Sequence, residues 1–450
     1  MHVNFKRAVI VLLFVSFIIN LGFSAISPMF PYLILAFKGL LNELPEVMLE
    51  PIEAHRGAVE FGILMAAFML TRAPTAALTG FLSDVLGRKV TMMIGIILYF
   101  LVSIGFVLSN SVMELIGLRA IQGVASAMVW PVAEAYIADV TPRWDRGKAI
   151  SAYSASMLIA EMIGPAIGVA VYKGYIFFFG TNDVIMALKS PMIFLAIMSL
   201  LSIAIIIILP RIPGKIPRSN LKKDYLLQLM KKRMKDIKNT INELPRSISL
   251  SIKAIYANGI VNGISIGIIH TVALVYVIEE VVKDPLYLGI YFTIFSMAAL
   301  PATMVSGYVS DKIKKRKPIA LLGFFIGRLT FFFIPLIKDF IVLLILAALP
   351  SLVFGLSMPA MRALQADLIP HTIRGTIFGA QQLFLNSGIF LGSILGGFLT
   401  NIYAKSVFKL LGLKLSGYIV PFWIAGFLGL IATIVFAIYV TERARTEDLI

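Results

Sequence analysis

Gly80-Phe81-Leu82-Ser83-Asp84-Val85-Leu86-Gly87-Arg88-Lys89 closes one long apolar run and opens the next. The stretch packs an acid, two bases and two glycines into a short turn. Gly80 lets a neighbouring helix come close, and Gly87 permits a turn geometry closed to other residues. Asp84 is spaced to pair with Arg88. A similar stretch, Gly307-Tyr308-Val309-Ser310-Asp311 followed by Lys314-Lys315-Arg316-Lys317, recurs 227 positions later in the same setting.

The apolar runs on either side define the class. Hydrophobic residues make up 59% of the 450-residue chain and charged residues only 14%, against about 25% charged in soluble domains. Spans of about 20 apolar residues cross a bilayer, and twelve are expected here. They fall near 8–36, 58–82, 89–109, 112–138, 147–172, 190–210, 250–279, 287–310, 318–338, 340–366, 374–402 and 416–440. The fold class is thus an all-α integral membrane protein in the lipid bilayer. Lys6-Arg7 precedes an apolar run too long for a signal-peptide core, so it is read as a retained first helix.

A formal charge of +16 reflects the gathering of Lys and Arg on cytoplasmic loops rather than nucleic-acid binding. With both termini inside, the cytoplasmic face takes Lys6, Arg7, Arg88, Lys89, Arg146, Lys148, Arg374 and the 211–249 stretch, while Glu43, Glu46, Glu50 and Glu53 fall on the other face. The expected location is the cell membrane. The chain has no cysteine, which excludes disulfides and thiol nucleophiles, and His2, His55, His270 and His371 form no metal motif. No metal or cofactor is expected, and the chain is read as a monomer.

Three segments follow: a six-helix bundle over 1–210, a basic linker over 211–249, and a second six-helix bundle with a short tail over 250–450. In the linker, Leu226, Met230, Met234, Ile237, Ile241 and Leu244 recur at helical spacing among many lysines. The pattern fits either an amphipathic helix on an anionic leaflet or a solvated basic linker. Pro74, Gly80, Ser83 and Asp84 return as Pro301, Gly307, Ser310 and Asp311, and Pro131, Asp139, Arg146 and Gly147 as Pro359, Asp367, Arg374 and Gly375. Gly164 and Gly168 return as Gly392 and Gly396. Six is even, so the second bundle enters the membrane in the same sense as the first. Parallel pseudo-symmetric bundles with a midplane cleft suit alternating access.

Gly80 to Lys89 resembles the loop signature G-x-L-x-D-x-x-G-R-K of the major facilitator superfamily. Arg119-Ala120-Ile121-Gln122-Gly123 is similar to that family's fourth-helix R-x-x-Q-G element, and Gly164-Pro165-Ala166-Ile167-Gly168 to the fifth-helix G-P-x-x-G element of its antiporter branch. The second-half loop lacks the Gly-Arg-Lys turn, and the first helix has Ile19 and Asn20 where several drug–proton antiporters carry an acid. The resemblance implies a cytoplasmic gate built from Gly80, Asp84, Gly87 and Arg88, with Asp139, Asp311 and Arg374 as further members. It also implies a drug–proton antiporter.

Ionisable groups inside spans are candidate functional groups, because hydrocarbon disfavours them. Arg119, Ser126 and Trp130 share one face of the fourth helix, flanked by Gln122 and Glu134, and suit the wall of a small-molecule cleft. Gln381, Gln382 and Asn386 form a polar face on the eleventh helix, either opposite that wall or as interhelical hydrogen-bond glue. Glu161 stands alone mid-span in the fifth helix, with Arg72 of the second as a possible counter-ion. Glu161 is the favoured proton carrier and Glu134 the second candidate. Arg119 and Glu161 either share a cavity or form a static pair. Gly164, Pro165 and Gly168 kink the fifth helix and admit a neighbour. Arg328, mid-span in the ninth helix, and His270 in the seventh receive no role from the sequence. The expected function is proton-coupled efflux of amphipathic compounds. The alternatives are an uptake symporter or uniporter for a sugar, organic acid or peptide and, more remotely, a membrane-embedded enzyme or a sensor.

Overall fold

The computed structural model describes residues 5–142, 144–180, 183–211, 246–313, 315–368, 374–410 and 412–442. That description covers no side chain at 307–311, 366–367 or 374–376. Almost all of the expected linker therefore lies outside the described residues, as do the side chains of Asp311 and Arg374.

The first span is two helices in line. Helix α1 (Phe5–Ala25) gives way at Pro28 to a 3₁₀ turn over Ser27–Met29, and α2 (Phe30–Phe37) completes the crossing. Proline tolerates a helix's first turn and breaks its interior, which is why the run divides there. Helix α3 (Ala58–Leu86) ends at Gly87, whose φ of 93° only glycine adopts easily. Helix α4 (Arg88–Leu108) starts directly after it.

Helix α5 (Val112–Val140) is capped by Ser111, whose Oγ accepts from the Glu114 N–H at 3.3 Å, while Glu114 accepts from the Asn110 N–H at 2.7 Å. Helices α6 (Arg146–Phe179) and α7 (Val184–Ile206) complete the first bundle. Helix α6 runs past the expected 147–172, while α7 starts before the expected 190–210 and ends short of it. Lys173 and Lys189 thus lie inside these helices. Lys173 bonds Glu46 and Asp284, and the buried Lys189 donates to the Ser109 carbonyl.

The second bundle comprises α8 (Arg246–Tyr276), α9 (Pro285–Ile313), α10 (Lys317–Phe333), α11 (Phe340–Leu368), α12 (Arg374–Tyr403) and α13 (Ile419–Tyr439). Helix α8 starts at Arg246, inside the segment assigned to the linker, and ends in a π turn over Val277–Val281. A hairpin of β1 (Val407–Leu410) and β2 (Leu413–Ser416) precedes α13. Among the described residues, twelve spans are long and apolar enough to cross a membrane.

The duplication read from the sequence reappears as packing. In the first bundle α1 lies on α6 and α7, α3 on α5, and α4 on α5 and α7. In the second, α8 lies on α12 and α13, α9 on α11, and α10 on α11 and α13. Pro74 and Pro301 stand inside α3 and α9, and Pro131 and Pro359 inside α5 and α11. The bundles meet along two seams, α3 against α12 and α6 against α9. The α3 seam is tight at its start, where a methyl on Gly62 would lie 2.3 Å from the Ser393 carbonyl oxygen.

Candidate functional site

The signature turn is a clamp within the first bundle. Arg88 reaches Asp84 at 2.6 Å and Asp139 at 3.2 Å, and donates to the Ser83 hydroxyl and, at 3.4 Å, to the Gly80 carbonyl. One guanidinium thus ties the end of α3 to the start of α4 and the end of α5, using the several donors that a planar fork provides. Among the described residues, the ion pairs of Asp84 and Arg88 stay inside this bundle.

The opposite end carries the bonds between bundles. Glu279, within the π turn that ends α8, accepts from the His55 backbone N–H at 2.8 Å and lies 2.9 Å from His55 Nδ1. The Tyr418 hydroxyl donates to the same carboxylate at 3.1 Å. Lys173 bridges Glu46 at 2.9 Å and Asp284 at 3.1 Å, while Lys405 pairs with Glu53. The Tyr32 hydroxyl donates to the Lys283 carbonyl at 2.7 Å, and the Lys283 ammonium donates to the Glu50 carbonyl at 2.6 Å. The Lys405 ammonium and the Arg56 guanidinium hold the Glu53 carboxyl below its ordinary range. The acidic segment read only as an orientation marker is therefore a strap, with Leu41, Leu44 and Ile52 buried beneath it. Its signal was four acids spaced along a loop opposite an excess of bases.

Between the ends lies the polar interior. Arg119 is buried and meets three rings, its guanidinium carbon 5.0 Å from the Phe23 centroid, 5.0 Å from Phe30 and 4.8 Å from Phe68. It donates to Gln122 Oε1 at 2.5 Å. Of the two readings for Arg119 and Glu161, the static pair is corrected: among the described residues no ion pair joins them, because aromatic faces and an amide already solvate the guanidinium. Arg119 Nε and Gln122 Nε2 are buried without a partner. Ser126 and Trp130 are also buried, and Trp130 stands edge-on to Tyr99 at 6.4 Å.

Glu161 is an exposed side chain at mid-span on α6. The cation whose charge reaches it is Arg72, half-buried on α3 over the Phe68 ring at 5.6 Å. Glu134 is likewise accessible and feels Arg362 of the second bundle and Arg72 of its own. Arg72 thus links the two acids. On α12, Gln382 donates to Asn386 at 3.1 Å; Gln381 is half-buried beside them. Gly164 and Gly168 lie against α1, where a methyl on Gly168 would come 1.9 Å from the Ala25 carbonyl oxygen. Pro165 lies between them, inside α6.

The sequence model of the Major Facilitator Superfamily matches residues 12–257 and again 255–449. The chain belongs to the Major Facilitator Superfamily. Among curated relatives, Multidrug resistance protein 2 of Bacillus subtilis (strain 168) is 24% identical over 398 residues, covering 88% of this chain and 90% of that protein. The quinolone resistance protein NorA of Staphylococcus aureus (strain MRSA252) is 29% identical over 163 residues, 36% of this chain and 38% of NorA. Among solved structures, a D-xylose-proton symporter superposes with a TM-score of 0.71 at 16% identity, over 98% of this chain and 99% of that one. A mutant of the nucleoside transporter NupG gives 0.69 at 12% identity, over 96% and 100%. Those two likenesses show the fold. As a Major Facilitator Superfamily member this chain is a membrane transporter and not an enzyme.

Proposed function

We propose that this transporter exports amphipathic small molecules in exchange for protons, with Glu161 as the proton carrier. The observation that carries the reading is an accessible mid-span carboxylate on α6 whose acting counter-charge is Arg72 of α3. Such a group can trade its proton with whichever side the cleft faces. The unpartnered nitrogens of Arg119 and Gln122, with Trp130, Ser126 and the Gln381, Gln382 and Asn386 face, supply polar and aromatic contacts for a substrate. Export is supported by the full-length likeness to a multidrug resistance protein.

Both termini and the Asp84–Arg88 clamp lie on the cytoplasmic side of the cell membrane, following the excess of Lys and Arg on those loops. The strap that joins the bundles is then external, and the cleft of this conformer leads to the cytoplasm. Substrate entering from the cytoplasm displaces the Glu161 proton, the bundles rock, and an external proton replaces the released cargo. Residues 1–210 and 250–450 move as the two bundles, joined by 211–249, in a monomer.

Reconstituted vesicles with an imposed pH gradient and a panel of amphipathic cationic dyes test the reading. Glu161→Gln is expected to cut gradient-driven dye flux at least tenfold while dye binding persists. Flux with unchanged pH dependence in that variant would sink the proton assignment, and proton-driven accumulation in the inward direction would favour uptake.

A further inference from the structure

The second bundle holds a cavity of about 300 Å³ that none of the transport chemistry above uses. Its lining comes from the second bundle, from α8, α9, α10 with the turn that follows it, α11 and α12, and includes no residue of α6. Most of the wall is apolar, with Phe295, Phe331 and Phe354 among it. Three ionisable groups line it, Arg328 on α10, His270 on α8 and the phenol of Tyr291 on α9, and of these the cation is Arg328.

Arg328 is only 6% exposed. Its Nη1 donates to the Phe324 carbonyl at 2.9 Å, its Nη2 donates to Asn262 Oδ1, and its guanidinium carbon lies 4.7 Å from the Phe324 ring centre. All three partners are neutral. A guanidinium has five N–H donors, and these bonds engage two. Ser265 and Ser351, which also line the cavity, already donate to the Ala425 and Phe295 carbonyls. The polar capacity left is cationic and donor-rich, and no carboxylate lines the wall. Charges in a membrane interior pair with one another or with backbone carbonyls and mark the paths of substrates and ions, and among the described residues lining this cavity no carboxylate meets Arg328.

We propose that this cavity is a binding site for an apolar monocarboxylate, its carboxylate on Arg328 beside His270 and its chain or ring among the phenylalanines. The volume sits at the lower end of small-molecule pockets, which suits a medium-chain or single-ring acid. Such an acid can come from solution or from the bilayer as a fatty acid, and the chemistry of recognition is the same.

The full-length protein in nanodiscs of phosphatidylcholine, titrated with radiolabelled decanoate, tests this. Saturable binding is expected, displaced by unlabelled decanoate but not by decanol, which has the chain without the charge. Arg328→Met is expected to weaken it at least tenfold. Ala347→Phe, which keeps the guanidinium and fills the cavity from a buried lining position, is expected to do the same and decides the matter if Arg328→Met does not fold. Displacement by oleate assigns the site to bilayer-derived acid, and resistance to oleate assigns it to a soluble one. Absence of saturable binding, equal displacement by decanol, or wild-type affinity in Ala347→Phe overturns the proposal.

Discussion

Arg119 brings a cation into the middle of a membrane-spanning bundle and meets aromatic faces there instead of a carboxylate. Each ring contributes about 0.5–2 kcal/mol, rising as water is excluded, so three rings and one amide balance much of the desolvation. Arg119→Ala should therefore lower the apparent melting temperature in detergent more than Arg362→Ala, whose side chain is exposed. An Arg119→Ala protein that melts like the wild type yet fails to bind dye would make the residue a substrate contact with little packing role. The charge itself was visible in the sequence, as were Glu161 and Arg72. The partners were not, because Phe23, Phe30 and Phe68 are ordinary apolar residues until α1, α2 and α3 are folded around them. For Glu161 the opposite held: isolation on its own helix could be read directly, and the cation that reaches it was named as a candidate from mid-span position alone.

Helices obey simpler rules, and most were legible. Prolines and glycines set their ends, and the run lengths set their number. The ends that differ, as at the end of α6 and the start of α7, lie where a lysine, Lys173 or Lys189, interrupts the apolar run. The hairpin of β1 and β2 is not legible in the sequence, because two four-residue strands leave little periodicity to read. Packing between helices is where small residues act. Gly168 holds α6 against the Ala25 carbonyl of α1, too close for any side chain. Gly168→Leu is expected to separate the two helices, giving a protein that aggregates on size exclusion or melts well below the wild type. Gly174→Leu, placed on the same helix with open space around it, should behave as the parent. Equal behaviour of the two variants would mean that the contact does not matter.

At the scale of the molecule, the bundles repeat one packing scheme and are joined at one end by ion pairs and hydrogen bonds. An exposed pair contributes about 0.2–1 kcal/mol, so several together shift an equilibrium between two arrangements by about tenfold, since about 1.4 kcal/mol is a factor of ten. Glu279 is the most connected group, holding His55 and Tyr418 at once. Glu279→Gln is expected to raise the fraction of molecules open at this end. The chain has no native cysteine, so spin labels can be placed at Met113→Cys and Ile341→Cys, exposed positions at the starts of α5 and α11. The inter-label distance distribution should gain a long component in the Glu279→Gln background. An unchanged distribution would show that apolar contact along the seams, such as that at Gly62, holds the end shut unaided.

The strap closes the molecule with charges that stand near water: Lys405 and Glu53 are exposed, and Lys173 is partly so. Attraction between such groups is screened over a Debye length of about 10 Å at 0.1 M salt and about 3 Å at 1 M. The resting balance between the two arrangements therefore depends on the ionic strength of the medium bathing that one face. Salt on the strap side is expected to weaken the closure, while the same salt on the other side leaves it in place.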